Sequence, residues 1–296
     1  MESKVLKKIL VPVDYSEYSL QAAKYALRIA HKAGAEIMLF HSFYSPAYDL
    51  IELTGNKETQ EKLREELTNK LLLEEKVKMD EFAQTVQKIR QSEKYNIEEI
   101  HYEVQPGLAK DQISLYCTVY KPNLVVMGTR GTDKRDQSIL GSVTEYALMK
   151  LRYPLLTVPE EHHTKLGEVG TEVVYLTDFD ESDFVSIKRL MSYFIDLEPS
   201  IHCLHIGDTA DKSEKAKMEG LKNYFSYAYP LSKIEYEVID KEGDLVHSVE
   251  QYLKKKSINI LSLTSRKRNA LEKLFSPSLT KRLFHNLNIP LFVFHN

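Results

Sequence analysis

The chain has 296 residues, with 40 Lys and Arg against 43 Asp and Glu for a formal net charge of −3. That length corresponds to about two domains, the near-neutral balance argues against a general nucleic-acid binder, which needs a basic field, and 43% hydrophobic with 28% charged residues describes an ordinary globular protein. No apolar run approaches the ~20 residues of a membrane span, the start turns acidic before a signal-peptide core could form, and two cysteines are too few for a disulfide framework, so the expected setting is the cytoplasm, away from membrane and nucleic acid.

Residues 8–13 (KILVPV) form a short β-branched run closed by Asp14, the pattern of a buried strand. From Ser16 onward Leu20, Ala23, Leu27 and Ala30 recur at helical spacing, with Gly34 as the stop. Residues 36–41 read as a second strand. Residues 57 to about 90 read as a long charged helix with Leu63, Leu67, Leu71, Phe82, Val86 and Ile89 on one face. A third strand (100–104), a helix (110–120), a fourth strand (123–127), a helix (142–151) and a fifth strand (154–158) follow. Strands alternating with helices in this way predict a parallel sheet covered on both faces.

The same grammar then repeats. Residues 173–178 (VVYLTD) match 9–14 (ILVPVD) at an offset of 164, which also relates His41 to His205. From Gly107 onward the offset is 136, which relates Gly107 to Gly243, Tyr116 to Tyr252, Thr144 to Thr280 and Pro154-Leu155 to Pro290-Leu291. The sequence therefore predicts a tandem duplication, with a first domain at 1–158, a polar linker at 159–170 and a second domain at 171–296.

Glycine is scarce, 11 of 296 residues, where about 7% is usual, and three of them build one motif. After the fourth strand comes Met127-Gly128-Thr129-Arg130-Gly131, then nine residues, then Gly141-Ser142 at the start of a helix. A strand-to-helix turn at the carboxyl edge of a parallel sheet is where such folds bind ligands. Glycines there let backbone approach phosphate oxygens and adopt positive φ, and the helix N-terminus presents unpaired N–H groups. The Ser142 hydroxyl adds a donor, and Arg130, Lys134 and Arg135 add positive charge. The motif is neither a Walker loop, which needs Gly-Lys-Ser/Thr, nor a dinucleotide fingerprint, which follows the first strand.

Gly128-x2-Gly131-x9-Gly141-Ser142 resembles the ATP-binding signature of the universal stress proteins. The opening Val11-Pro12-Val13-Asp14-x-Ser16 and the closing run from Val143-Thr144 to Pro154-Leu155-Leu156-Thr157-Val158 resemble that family's first strand and its last helix and strand. The resemblance covers both copies. It implies two tandem Rossmann-like domains, each a five-stranded parallel sheet flanked by helices. It also implies an intrachain pseudo-dimer with 154–158 facing 290–294. By the same resemblance, Asp14 and the backbone near Pro12 and Val13 would hold the ribose and adenine, and Phe40 and His41 would wall the base. Met127, Gly128, Arg130, Gly131, Gly141, Ser142, Val143 and Thr144 would surround the phosphates and ribose. The implied ligand is ATP or a related adenine nucleotide, with or without Mg²⁺, and the implied role is a regulatory or protective stress-response factor. A protein partner goes unnamed, and further pairing of chains is left open.

The second copy departs from the pattern, because the 136 offset turns Gly128 into Thr264, Gly131 into Lys267 and Gly141 into Pro277, while Ser142 becomes Ser278. The helix could still start at Ser276-Pro277, yet Cβ atoms stand where backbone should touch phosphate, so ATP is expected in the first domain only. Two other functions with the same fold compete with this reading: a nucleotide-free interaction scaffold and a slow ATP hydrolase, for which no residue stands out as a base. Asp178-Phe179-Asp180 resembles a phosphatase nucleophile motif, but Asp178 and Asp180 are the counterparts of Asp14 and Ser16. His202, Cys203 and His205 suggest a metal cluster less readily than core positions, since Cys203 corresponds to Leu39 and Cys117 to Leu253.

Overall fold

A computed structural model describes residues 6–47, 57–97, 99–131, 140–159, 171–230, 232–256, 258–265 and 289–295. The first half runs β1 (Lys8–Pro12), α1 (Glu17–Ala33), β2 (Glu36–Phe43), α2 (Lys57–Ser92), β3 (Ile100–Pro106), α3 (Ala109–Tyr120), β4 (Leu124–Gly128), α4 (Ser142–Lys150) and β5 (Leu155–Val158). The second half runs β6 (Glu172–Leu176), α5 (Glu181–Phe194), β7 (Ser200–Gly207), α6 (Lys212–Ala228), β8 (Lys233–Asp240), α7 (Leu245–Lys255), β9 (Ile260–Ser265) and β10 (Leu291–His295), with a 3-10 turn (Ile195–Leu197) after α5.

These strands form one ten-stranded sheet in the order β3-β2-β1-β4-β5-β10-β9-β6-β7-β8. Every neighbouring pair within a half is parallel. The seam is antiparallel, with Leu291 opposite Thr157, Phe292 opposite Leu156 and Val293 opposite Leu155. The chain thus closes on itself by the strand pairing that the family resemblance implied. In each half the order reverses beside the first strand, between β1 and β4 and between β6 and β9. Such a reversal opens a crevice at the strands' carboxyl ends.

Local signals explain the elements that frame this crevice. Ser16 caps α1 by accepting from the Ser19 amide, and Gly34 ends it at φ 65, a left-handed turn that glycine makes without Cβ strain. The apolar stripe expected along α2 holds only in part: Met79 and Val86 are buried, while Leu63 is 45% exposed. The helix has 36 residues, about 54 Å at the α-helical rise, whereas the seven residues of β3 span about 23 Å. Its N-terminal part therefore outruns the sheet that its C-terminal part packs on.

The apolar core is divided by the faces of the sheet rather than by the halves of the chain. One cluster joins Leu27, Met79 and Leu156 to Ile187, Phe225 and Phe292, and the other joins Phe40, Cys117 and Leu148 to Val249, Leu261 and Val293. Each of these fully buried Leu, Ile and Phe side chains contributes about 2 kcal/mol, so the halves draw on shared rather than separate cores. Across the seam, Tyr193 on α5 also donates to the Asn123 carbonyl at 3.0 Å. The linker expected at 159–170 falls, after Pro159, outside the described residues. No helix among the described residues is long and apolar enough to cross a membrane.

Candidate functional site

The crevice between β1 and β4 holds a cavity of ≈ 270 Å³. It gathers Pro12, Val13 and Asp14 from the end of β1, Phe40 from β2, and Met127, Gly128, Arg130 and Gly131 from the end of β4. Gly141, Ser142, Val143 and Thr144 reach it from the start of α4. Residues separated by more than a hundred positions meet here because the parallel sheet puts every strand's carboxyl end on one edge.

Asp14 is the fixed anion of this site. Its carboxylate accepts from the Ser16 amide at 3.2 Å, from the Ser16 hydroxyl at 2.6 Å and from the Ser19 hydroxyl. Its own amide donates to Ser19 Oγ at 3.0 Å. Tyr15 follows at φ 64, a conformation costly for an aromatic residue, and it turns the chain sharply from strand to helix.

The three glycines act in three ways, and none of them has the positive φ that the sequence suggested; among described glycines that conformation belongs to Gly34, Gly107 and Gly243. A Cβ on Gly128 would lie 2.6 Å from Tyr18 Cβ and 2.8 Å from its backbone carbonyl carbon, so this glycine lets α1 approach β4. A Cβ on Gly131 would collide with Asp14 Oδ2. At Gly141 it would meet the Arg130–Gly131 backbone at ordinary contact distance, 3.4 Å from Arg130 Cα at the nearest.

Gly141 caps α4 without a side-chain hydrogen bond, so the first amides of the helix, on Ser142, Val143 and Thr144, have no intrahelical partner and border the cavity. The turn is held by the Gly141 amide, which donates to the Thr129 carbonyl at 2.8 Å, and by the Thr144 hydroxyl, which donates to the Gly128 carbonyl at 2.8 Å. The arrangement offers a carboxylate and an apolar wall on one side and a positive helix end on the other. Lys134 and Arg135, expected to add charge, lie outside the described residues.

His41 does not line the cavity. Adjacent residues on a strand face opposite ways, so Phe40 and Ser42 face the cavity while His41 faces α2. There its Nδ1 lies 2.7 Å from the Val13 carbonyl and its Nε2 lies 3.3 Å from Glu75, with the Tyr15 ring 4.5 Å away. The cavity also takes in Ser19, Ser42, Ala109 and Ile113. Period-two alternation from Phe40 points to Ser42, and the four-residue step from Ala109 to Ile113 puts both on one helix face. That α3 packs over this crevice is a fact of tertiary packing.

The second half repeats part of this construction. Phe179 takes φ 62, stacks 4.2 Å from His205, and His205 Nδ1 lies 2.8 Å from the Thr177 carbonyl. Glu214 stands 3.6 Å from His205 Nε2, as Glu75 does beside His41. The positions matching Gly128 and Ser19 differ. Thr264, the counterpart of Gly128, is fully buried and shares its hydroxyl with Tyr175 and Ser186, each at 2.7 Å. Asp183, the counterpart of Ser19, is a buried carboxylate that accepts from Tyr175 at 2.8 Å, Thr177 at 2.7 Å and the Asp178 and Asp180 amides at 3.1 Å. Asp180 and Asp183 form a capping box on α5, so the second aspartate of the Asp-x-Asp pattern caps a helix. Lys267, Pro277, Ser278 and Thr280, and the helix expected to start at Ser276, lie outside the described residues.

Both thiols sit in the core, where burial pushes Cys117 up to about 12 and Cys203 higher still. His202 Nε2 lies 2.8 Å from Glu172. Among the described residues no group of three His, Cys, Asp or Glu side chains is arranged to hold a metal ion.

A model of the universal stress protein family matches residues 6–159. A universal stress protein of Methanocaldococcus jannaschii is 31% identical over 152 residues, which is 51% of this chain and 81% of that protein. A second from the same organism is 25% identical over 167 residues, 54% of this chain and 99% of that protein. The crystal structure of a universal stress protein from Archaeoglobus fulgidus aligns with a TM-score of 0.66 at 18% identity, covering 98% of this chain and 96% of that one. A structure described as a putative universal stress protein, from Pseudomonas aeruginosa, aligns with a TM-score of 0.61 at 12% identity, covering 99% and 94%. At those identities the two structures speak to the fold alone, and they share it over both halves.

Proposed function

The chain belongs to the universal stress protein family, and on that footing we propose that its first half binds ATP or a related adenine nucleotide and that the second half binds none. The observation that carries this reading is the cavity between β1 and β4, bounded on one side by Asp14 and on the other by the open N-terminus of α4. Phosphate oxygens would accept from the amides of Ser142, Val143 and Thr144, favoured by the positive end of the helix. The Asp14 carboxylate, oriented by Ser16 and Ser19, would take the sugar hydroxyls. Phe40, Met127 and Ile113 offer apolar surface to the base. Magnesium, where the triphosphate brings it, would be held through the phosphates.

In this reading the domains divide at 1–158 and 171–296, and the protein is a nucleotide-responsive regulatory or protective factor of the cytoplasm. The reading of a single site is supported by the sequence of the second half, where Thr264, Lys267 and Pro277 stand in place of Gly128, Gly131 and Gly141. Isothermal titration of the full chain tests both parts. One ATP per chain is the expected result. Two equivalent sites would overturn the asymmetry, and no binding would overturn the nucleotide reading in favour of an interaction scaffold.

A further inference from the structure

The helix whose N-terminus borders the cavity is short. Nine residues make α4 about 13 Å long, so holding one end sets the position of the other. Its N-terminal end is tied to β4 through Thr144 and Gly141. Its last carbonyls have no intrahelical partner, and the residue that meets one of them comes from the other half of the chain. His295, at the end of β10, places Nε2 2.9 Å from the Leu148 carbonyl and Nδ1 3.1 Å from the Tyr153 carbonyl. The contact spans 147 residues of sequence. Carbonyl oxygens only accept, so the imidazole is the donor, and a neutral ring donates to one of the two carbonyls at a time.

The sequence holds no second copy of this histidine. Under the offset of 136 the counterpart of His295 is Pro159, which has no side-chain donor to offer the second half. We propose that His295 is a positioning residue for the nucleotide site: by holding the C-terminal end of α4 it fixes the amides of Ser142, Val143 and Thr144 opposite Asp14. The second half, although it lacks the glycine loop, then acts as a permanent brace for the site in the first. This rests on the nucleotide reading above and adds to it the task of the duplicated half.

The test compares two variants of the full chain by ATP titration, with thermal unfolding as a check of the fold. His295→Phe keeps a ring of similar size and removes the N–H donor. His295→Gln keeps two N–H donors on one amide. The expected result is affinity weakened about tenfold in His295→Phe, the scale of one or two lost hydrogen bonds, and restored to within about twofold of the parent in His295→Gln. Amide hydrogen exchange without nucleotide should quicken across α4 in the first variant and not in the second, a readout that needs no ligand. Unchanged affinity in His295→Phe would overturn the proposal, and so would equal loss in both variants, which would assign the effect to shape. A parent chain that binds no ATP would overturn the nucleotide reading and this role together. That outcome is told apart from failure of the brace alone, because in the latter the parent binds.

Discussion

Gly128 and Thr264 occupy the same point of the duplicated unit, at the carboxyl end of the strand that borders the crevice, and they lead to different uses of it. At Gly128 the absent side chain lets Tyr18 of α1 press against the strand, and the helix that follows opens its N-terminus toward a cavity. At Thr264 a buried hydroxyl joins Tyr175 and Ser186. A carboxylate is added as well: Ser19 lies beside Asp14 at the cavity wall, whereas its counterpart Asp183 is fully buried under four donors. Meanwhile the aromatic-on-histidine corner, Tyr15 on His41 and Phe179 on His205, is kept in both halves. A feature kept in the half without the glycine loop serves the strand-to-helix turn. The features that differ are the ones that shape the cavity.

The contrast can be broken from either side. The largest effect is expected at Gly131→Val, which drives a side chain into Asp14 and displaces the carboxylate from its serines; ATP affinity should fall by about a hundredfold or more, about 2.7 kcal/mol, with the urea midpoint little changed. Second comes Asp183→Ala in the other half, which strands the donors of Tyr175, Thr177 and two amides. Urea unfolding should show a loss of about 2 kcal/mol, and the ATP affinity of the surviving folded chain should match the parent. If Asp183→Ala abolished binding while the chain stayed folded, the division of labour between the halves would be wrong.

The smallest effect concerns pH. Burial holds His295 below its ordinary value of 6.5, against the opposing pull of the Leu148 and Tyr153 carbonyls, and the positive charge of Arg152 adds to the lowering. A folded-state value below the unfolded one means that the unfolded chain binds more protons in that window. His295 therefore contributes stability that is present above about 6.5 and fades as the pH falls through the lower folded value. Denaturation measured from pH 7.5 down to 5 should show this slope in the parent and a shallower one in His295→Gln.

Much of the frame was legible residue by residue. Ser16 and Gly34 bounded α1, the run 36–41 marked β2, the matched offsets gave the duplication, and the family resemblance implied the seam that pairs 155–157 with 291–293. Twelve of the thirteen residues singled out for the site line one cavity. The exception, His41, misled because motif adjacency to Phe40 ignores the alternation of a strand. Leu63 misled because helical periodicity carries no information on where the sheet beneath a helix ends.

Sequence by itself determined the repeated strand-helix unit, the loss of glycine at position 264 and the family to which the chain belongs. These depend on residue type and spacing along a single segment, which set backbone preference and burial pattern locally. Tertiary structure alone decided that the cores follow the faces of the sheet across both halves, that Gly128 is small for the sake of Tyr18, and that His295 reaches the far end of the helix at the site. Those depend on distances between segments more than a hundred residues apart, which only the closing of the sheet at the β5–β10 seam fixes.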